Sequence, residues 1–183
     1  IGIDERAQLD QTGLAGGGQD EVPVRMLLVH QHGGCQEGGR QVLDLGTGCG
    51  VQALHLTHHA ERVVATDISA RALEFARFTC ALNGVGLDLR AGSLTEPVAD
   101  EEFDLIVSNP PFVITPRTEG VPVYEYRDGG VEADGITSGL IGQVAARLAP
   151  GGMAQMLGNW EIGPDEDWRD RVRIATDEIE AAA

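Results

Sequence analysis

Short apolar runs alternate with helix-period segments from residue 41 onward. The runs have the near-continuous hydrophobicity of buried parallel strands or the period-two alternation of half-buried ones. The five predicted strands are 42–45, 62–66, 85–91, 103–108 and 153–158. The three predicted helices cover 51–59, 69–82 and 140–148. Strands that alternate with helices predict a doubly wound, mostly parallel α/β sheet.

The two ends of the chain carry weaker patterns. Glycine clusters before residue 40 predict loops, and the apolar stretch 22–30 between them fits a strand or a helical turn equally well. The last 23 residues hold eight acids and three arginines, which predicts a solvated surface segment. We therefore expect a loop-rich segment over 1–40, one folded domain over 41–160 and an acidic tail over 161–183.

Composition narrows the function classes. The chain has 183 residues and a formal net charge of −16, and all 13 of its basic residues are arginine. The absence of lysine excludes P-loop, Schiff-base and lysine-base chemistry, and the acidic balance disfavours charge-driven binding to nucleic acid. No apolar run is long enough for a membrane helix. Three widely spaced cysteines do not suggest a disulfide framework, so we expect a cytoplasmic protein.

The sequence predicts no metal site. His30, His32 and Cys35 lie close together, but they supply only three ligands in a glycine-rich stretch, without a second cluster of metal-ligand type. A solvated loop explains this segment better than a zinc site does.

A glycine motif joins the first predicted strand to a predicted helix in V-L-D-L-G-T-G-C-G, residues 42–50. Gly46 permits a tight turn, and Gly48 and Gly50 let the backbone approach a ligand without an intervening Cβ. The G-x-G-x-G spacing differs from the G-x-G-x-x-G of dinucleotide sites. The carboxylate of Asp44, two positions before the first glycine, suits a ligand that bears an ammonium group.

A second acid, Asp67, ends the next predicted strand, 21 positions after Gly46. A carboxylate at this place can accept hydrogen bonds from both hydroxyls of a ribose. Taken alone, Asp67 would be interpreted as a helix-capping acid. Its pairing with the glycine motif makes the ribose interpretation the better one.

A third motif follows the strand 103–108, which runs directly into Asn109-Pro110-Pro111-Phe112. Open α/β sheets bind their ligands at the carboxyl ends of the strands. The prolines offer no N–H, which leaves carbonyl groups and the Asn109 side-chain oxygen as acceptors, and Phe112 offers a flat apolar face. This arrangement suits a planar NH2 group attached to a π-system.

In this order, the three motifs resemble those of the class I S-adenosylmethionine-dependent methyltransferases, over about residues 41–160. The N-P-P-F strand end looks like the group that methylates amide or exocyclic amino nitrogens. That group includes the release-factor glutamine N5-methyltransferases and the adenine N6-, cytosine N4- and guanine N2-methyltransferases. The resemblance implies a Rossmann-like methyltransferase fold with S-adenosylmethionine as the cofactor.

The resemblance also implies roles for individual residues. The glycine loop would wrap the methionine end of the cofactor, Asp67 would hold the ribose, and Gly92, Ser93 and Leu94 would border the adenine. The implied cofactor-binding residues are Asp44, Gly46, Thr47, Gly48, Cys49, Gly50, Asp67, Ile68, Ser93, Leu94 and Asn109. The implied catalytic residues, which would bind the target nitrogen, are Asn109, Pro110, Pro111 and Phe112.

The chain departs from the family pattern at three places. Ser93 stands where the family often has an acid that touches the adenine amine. Residues 1–40 are too short and too rich in glycine for the substrate-recognition domain that usually precedes the first strand. The family sheet needs two more strands after the fifth, so we expect a truncated sheet with an uncovered edge at 153–158, through which two copies could associate.

The predicted activity is methyl transfer to a planar nitrogen of a macromolecular substrate, with no membrane involved. The acidic composition favours a protein glutamine side chain over a nucleic acid. A base methyltransferase acting on guanine N2 or adenine N6 is the first alternative, and a non-catalytic cofactor-binding domain is the second. A nicotinamide-dependent oxidoreductase is disfavoured by the glycine spacing and by the N-P-P-F segment.

Overall fold

The computed structural model describes residues 2–3, 24–30, 39–110 and 135–159. Its strands are β1 (Gly2–Ile3), β2 (Val24–His30), β3 (Gln41–Leu45), β4 (Arg62–Asp67), β5 (Asp88–Ala91), β6 (Phe103–Ser108) and β7 (Leu148–Asn159). Its helices are α1 (Val51–Leu56), α2 (Ala70–Asn83) and α3 (Gly135–Ala145), with a 3-10 turn at Glu96–Val98. The strands form one sheet in the order β1-β2-β7-β6-β3-β4-β5.

The five strands predicted from the sequence form the parallel part of this sheet. Strand β3 lies between β4 and β6, and β5 and β7 flank these in parallel register. Leu43 and Ile106 on the central strands are fully buried, as expected for strands that are covered on both faces. The Rossmann-like α/β fold expected from the sequence is confirmed.

Helices cover the two faces of the sheet because neighbouring residues of a strand point to opposite sides. Val64 packs in the cluster that contains Leu140 and Ile141 of α3. Val63, one position earlier, packs in a second cluster with Ala53 of α1. Alternate residues of β4 therefore contact opposite helical layers, which is the doubly wound arrangement.

Helix α2 begins and ends at the predicted signals. The Ser69 hydroxyl accepts a 3.3 Å hydrogen bond from the Ala72 N–H and caps the amino end. Gly84, in a left-handed conformation, ends the helix as expected of a glycine after the last turn. The capped start fixes the short turn from Asp67 into the helix, and this turn belongs to the candidate site.

The expected uncovered edge at the fifth predicted strand is wrong. Strand β2 pairs antiparallel with β7 from Val24 opposite Asn159 to His30 opposite Met153, and β1 pairs with β2. The two additional strands thus come from the segment before the first predicted strand, and the stretch 22–30 contains a strand rather than a helical turn. The pairing satisfies backbone groups that a bare β7 edge would expose.

Some predicted boundaries are also wrong. Leu148 begins β7 instead of ending a helix, and α3 ends at Ala145. Between Phe103 and Leu105 of β6, the register on β7 advances from Leu148 to Met153, so the Pro-Gly-Gly segment forms an irregularity within the strand. Strand β5 starts at 88 rather than 85, because it is a sheet edge whose pairing with β4 begins there.

The first helix is also shorter than predicted and buries a different side chain. Helix α1 ends at Leu56, and its fully buried residue is Ala53. Val51, which the helical spacing placed on the apolar face, is 52% exposed. The helix starts at the glycine motif, so its first residue borders the candidate site instead of the core.

Candidate functional site

The candidate site lies where the carboxyl ends of four parallel strands meet. Strand β3 leads into the glycine loop, β4 ends at Asp67, β5 leads to Ser93, and β6 leads to Asn109. Because β5, β4, β3 and β6 are successive neighbours in the sheet, all three sequence motifs come to one edge. This is the edge where open α/β sheets bind ligands.

The glycine loop is held against β4 by its own backbone. The N–H groups of Gly46 and Thr47 both donate to the carbonyl of Thr66, at 2.9 and 2.8 Å. Gly46 and Gly48 have φ angles of +74° and +57°, which side chains rarely adopt, and a Cβ at either position would enter open space. The loop thus presents bare backbone to a ligand on its outer side.

Gly50 ends the glycine loop against α2. It is buried, its φ angle is +81°, and a Cβ added there would lie 3.1 Å from Ala76 of α2, so the backbone conformation and the helix packing both favour glycine. The neighbouring Cys49 is exposed, and its carbonyl accepts a 2.7 Å hydrogen bond from the Thr79 hydroxyl. Two contacts with α2 therefore fix the end of the glycine loop.

Asp44 is a fully buried acid directly below the loop. Its Oδ2 accepts a 2.6 Å hydrogen bond from the Thr47 hydroxyl, whereas Oδ1 has no partner among the described residues. Burial raises the pKa of Asp44 to about 6, and the nearby Asp67 charge adds to the shift. The Thr47 hydroxyl and the Ala53 backbone N–H oppose it without cancelling it. An unpartnered buried oxygen fits a ligand that brings a hydrogen-bond donor.

Asp67 joins the glycine loop to the turn that precedes α2. Its Oδ2 accepts a 2.9 Å bond from the Gly48 N–H, and its Oδ1 accepts a 2.8 Å bond from the Ser69 N–H. Each carboxylate oxygen has a second lone pair, so both can still accept from a ligand. Two backbone donors thus aim a half-buried carboxylate with two free acceptor positions at the edge of the site.

Two exposed apolar side chains lie near Asp67, on the side away from the glycine loop. Ile68 is 76% exposed and Leu94 is 37% exposed, at the ends of β4 and β5. Ser93 is exposed, and its N–H donates a 3.4 Å bond to the carboxylate of Glu96. An apolar surface beside the acceptors of Asp67 fits a planar base attached to a ribose.

Asn109 and Pro110 follow β6, on the other side of the glycine loop. Asn109 is exposed and Pro110 is buried. The preceding residue, Ser108, is buried, and its hydroxyl donates a 2.8 Å bond to the carbonyl of Leu45. This bond ties the strand that ends at Asn109 to the strand that leads into the glycine loop. Pro111 and Phe112 lie outside the described residues.

Sequence reasoning missed the residues that hold these groups in place. They contribute the backbone carbonyl of Thr66, the partly buried hydroxyl of Thr79 and the buried hydroxyl of Ser108, and the sequence assigned these residues only to strands or a helix. The available signal was a Ser or Thr at the end of an otherwise apolar strand, or on the inward face of a helix. Such a hydroxyl needs a partner when it is buried, and here the partner belongs to the site.

A pocket of about 450 Å³ opens between α3 and the loop after β5, and it shares Ser93 and Leu94 with the site but none of the glycine loop. No group of three His, Cys, Asp or Glu residues in the described ranges could hold a metal ion, and His32 and Cys35 lie outside those ranges. None of the described helices is long and apolar enough to cross a membrane.

Comparison with protein families agrees with this geometry. The family model described as "Methyltransferase small domain" matches residues 25–167. The chain belongs to this methyltransferase family. The matched range starts inside β2 and runs past the end of β7, so it includes the antiparallel strand that the sequence pattern left undecided.

Curated and solved relatives lie within the same class. A release factor glutamine methyltransferase of Geobacter sulfurreducens is 37% identical over 121 residues, which cover 61% of this chain and 42% of the relative. Ribosomal RNA small subunit methyltransferase C of Alcanivorax borkumensis is 30% identical over 130 residues, covering 71% and 35%. The chain therefore spans less than half the length of these relatives.

A solved structure of a ribosomal protein L11 methylase from Lactobacillus delbrueckii subsp. bulgaricus is also similar. It superposes with a TM-score of 0.53 at 28% identity, covering 78% of this chain and 60% of that chain. The prediction of an S-adenosylmethionine-dependent methyltransferase is confirmed as a family assignment, and S-adenosylmethionine is the cofactor that this membership implies. The individual site residues stay a prediction.

Proposed function

We propose that the chain transfers the methyl group of S-adenosylmethionine to a planar amide nitrogen, and that the acceptor is a protein glutamine side chain. The observation that carries this proposal is the position of Asn109. It is an exposed acceptor at the end of β6, and the Ser108–Leu45 hydrogen bond holds that strand end beside the glycine loop. A group bound at Asn109 would therefore face a ligand held by the loop.

In this proposal, the cofactor lies along the carboxyl edge of the sheet. Its ammonium group meets Asp44, whose Oδ1 needs a donor, and its methionine part follows the bare backbone of Gly46 and Gly48. The ribose hydroxyls donate to the two free acceptor positions of Asp67. These contacts use lone pairs and surface that no other described residue occupies.

The adenine would lie between Ile68 and Leu94, beyond the ribose at the end of β5. Both side chains are exposed and apolar, so they offer a surface that a flat base would cover on binding. The order β3, β4, β5 in the sheet thus matches the order of amino acid, ribose and base along the cofactor.

The group proposed to bind at Asn109 is an amide nitrogen, which is a poor nucleophile. When bound, the cofactor supplies a methyl group on a positively charged sulfur. An amide nitrogen shares its lone pair with the carbonyl, so acceptors that bind its two hydrogens favour a more tetrahedral nitrogen. Asn109 Oδ1 and the Pro110 carbonyl are acceptors of this kind, because Pro110 and Pro111 carry no N–H. Such contacts would strengthen as the N–CH3 bond forms and the S–CH3 bond breaks, and they would lower the barrier. The products would be neutral S-adenosylhomocysteine and a methylated nitrogen that loses one proton to solvent.

The distribution of charge supports a protein acceptor over a nucleic acid. Arg62 and Arg90, two of the basic residues of the described part, are already paired with Asp88 and Glu101. The chain as a whole carries a net charge of −16. Binding to RNA depends on free basic groups that neutralise phosphates. The same composition and the free thiols of Cys49 and Cys80 lead us to propose a cytoplasmic location.

A base methyltransferase acting on guanine N2 is the second candidate. The observation that favours it is the 30% identity to ribosomal RNA small subunit methyltransferase C over 71% of this chain. An exocyclic amino group and a side-chain amide present the same planar NH2, so the geometry at Asn109 suits both.

The test supplies both acceptors to the same protein. The chain is incubated with methyl-labelled S-adenosylmethionine and either a purified bacterial release factor or small-subunit ribosomal RNA. We expect label on a glutamine side-chain amide, located by mass spectrometry of the digested protein. Label on RNA alone would overturn the glutamine assignment, and no label on either, despite cofactor binding, would favour a non-catalytic domain. The Asn109→Ala variant serves as the control for transfer by the proposed site.

A further inference from the structure

The segment that follows β5 is closed on itself, and we call residues 92–97 the base-edge loop. A Cβ added to Gly92 would lie 2.4 Å from Cγ of Pro97, so the two ends of the loop are in direct contact. Inside the loop, the Glu96 N–H donates to the Ser93 carbonyl at 3.0 Å. The loop is thus a compact turn that depends on the position of Pro97.

Leu94 at the tip of this loop has an unfavourable backbone conformation. Its φ angle is +47°, in the left-handed region that a leucine rarely adopts. A strained residue keeps such a conformation only when its surroundings determine it. Leu94 lines a pocket of about 450 Å³ together with Gln143 of α3, so packing between the tip of the loop and that helix is incomplete. Hydrogen bonds add to the support of the loop, and one is the 3.1 Å bond that the Thr95 hydroxyl donates to the Gln143 side chain.

Arg90, which lies in β5 two residues before the loop, supplies a further support. Its Nη1 donates a 2.9 Å bond to the carbonyl of Pro97 and also bonds Glu101. Its Nε and Nη2 bond the two oxygens of Asp88, at 3.1 and 2.8 Å. The planar guanidinium is therefore fixed by two acids and presents one N–H to the middle of the 3-10 turn.

Arg62 and Arg90 form one ion-pair cluster with Asp88 and Glu101, so Arg62 provides a comparison for Arg90. It also bonds Asp88 and Glu101, at 2.7 and 2.6 Å, but it makes no hydrogen bond to the base-edge loop in the described structure. The two arginines thus share their acidic partners and differ in the contact with Pro97. The cluster has no net charge, and its members are partly exposed.

We propose that Arg90 is a positioning residue that fixes the base-edge loop, through the Pro97 carbonyl, in the conformation that recognises the base of the cofactor. This inference rests on the cofactor part of the proposed function and is independent of the methyl acceptor. It assigns a role in base selectivity to a residue that lies outside the three sequence motifs. The loop is prepared before binding, so its ordering does not have to be completed when the ligand arrives.

The experiment measures binding of S-adenosylhomocysteine and of its inosine analogue to the parent, Arg90→Lys, Arg62→Lys and Gly92→Ala chains by calorimetry. Arg90→Lys keeps the charge but cannot span Asp88 and Pro97 together. We expect it to weaken S-adenosylhomocysteine binding by about tenfold, the scale of one lost hydrogen bond to a preorganised group, and to reduce the preference for adenine. Arg62→Lys should lower the melting temperature comparably while leaving both affinities and their ratio unchanged.

Gly92→Ala provides a test that leaves every charge in place. Its Cβ would displace Pro97, so we expect the same loss of selectivity as in Arg90→Lys. Hydrogen exchange of the Glu96 and Val98 amides in the ligand-free protein should quicken in both variants and stay slow in Arg62→Lys, because these amides form the turn.

The outcomes separate the two proposals. If Arg90→Lys and Gly92→Ala retain the parent's affinities and their ratio, the role of Arg90 is wrong and the proposed function stands. If Arg62→Lys loses selectivity to the same extent, the effect is one of general stability and the inference is also wrong. If the parent itself does not bind S-adenosylhomocysteine, the cofactor assignment fails and the inference fails with it.

Discussion

The hydroxyl of Thr47 donates a 2.6 Å hydrogen bond to one oxygen of the Asp44 carboxylate, while the other oxygen, also buried, has no described partner. A half-satisfied buried carboxylate destabilises the ligand-free fold, because its charged form has lost water without a full replacement. Its pKa of about 6 expresses this cost. Asp44 therefore does not stabilise the ligand-free fold at neutral pH, which is consistent with a role in ligand binding.

This relationship predicts how stability depends on pH. The pKa of Asp44 is higher in the folded state, about 6, than its ordinary value of 3.8, so the folded state binds the proton more tightly. The contribution of Asp44 is therefore most favourable below pH 3.8 and is lost as the pH rises through about 6. At neutral pH the contribution of Asp44 to the free energy of unfolding is therefore about 3 kcal/mol lower than it is below pH 3.8.

The Asp44→Asn variant tests this dependence. The neutral amide avoids the ionisation cost, although its buried N–H group lacks a partner, so we expect ligand-free stability at pH 7.5 to rise by about 1–2 kcal/mol. Urea unfolding of both proteins from pH 4.5 to 8 measures the difference in their free energies of unfolding. The contributions of the other acidic residues are the same in both proteins and cancel in this difference. The same variant should bind S-adenosylhomocysteine more weakly. A pH-independent difference would contradict the raised pKa.

Replacement of Asp67 should affect the cofactor more than the fold. Asp67→Ala removes the proposed ribose acceptor and also the partner of the Gly48 and Ser69 N–H groups. We expect S-adenosylhomocysteine binding to weaken by ~1.5–3 kcal/mol, the scale of lost charge-assisted hydrogen bonds. Asp104→Ala is the matched control, since Asp104 accepts a 2.8 Å bond from the Gln41 N–H at the opposite end of the sheet. Equal affinities in both variants would refute the assignment.

Asn109 should act in methyl transfer rather than in folding. It is exposed, so Asn109→Ala should cost less than ~1 kcal/mol of stability and change cofactor affinity little. Transfer to the true acceptor should fall on the order of 10²–10³-fold, as when one preorganised polar contact to a transition state is removed. Single-turnover rates measure this effect. Asn83→Ala, at an exposed Asn on α2, is the control and should keep the parent rate.

We expect the Ser108 hydroxyl to contribute both to the stability of the fold and to the rate of methyl transfer. Ser108→Ala removes the buried hydrogen bond to the Leu45 carbonyl, which we expect to cost about 1 kcal/mol. Because this bond aligns the strand that carries Asn109 with the glycine loop, the transfer rate should fall more than cofactor affinity does. Thr57→Ala, which removes a 2.7 Å hydroxyl bond at the end of α1, is a control for stability loss alone. Equal effects of the two variants on the rate would disprove the alignment role.

Much of the site could be predicted because its parts are local in sequence. The turn after β3 needs glycines at Gly46 and Gly48 whatever the rest of the chain does, since both have positive φ angles. The apolar runs that define the parallel strands, and the cap at Ser69, are also read within a few residues. Once parallel strands alternate with helices, the carboxyl ends of those strands share one edge, and the motifs that follow them must meet.

The remainder depended on contacts between distant residues. The pairing of β2 with β7 joins residues more than a hundred positions apart, and no local pattern in 22–30 decides between a strand and a turn. The bond from Gly48 to Asp67, the contact of Gly50 with Ala76 and the support that Arg90 gives to Pro97 arise only when neighbouring elements pack. The sequence by itself determined which backbone and side-chain groups line the edge. The tertiary structure decided how they are aimed, because hydrogen-bond partners are chosen by distance in space and not along the chain.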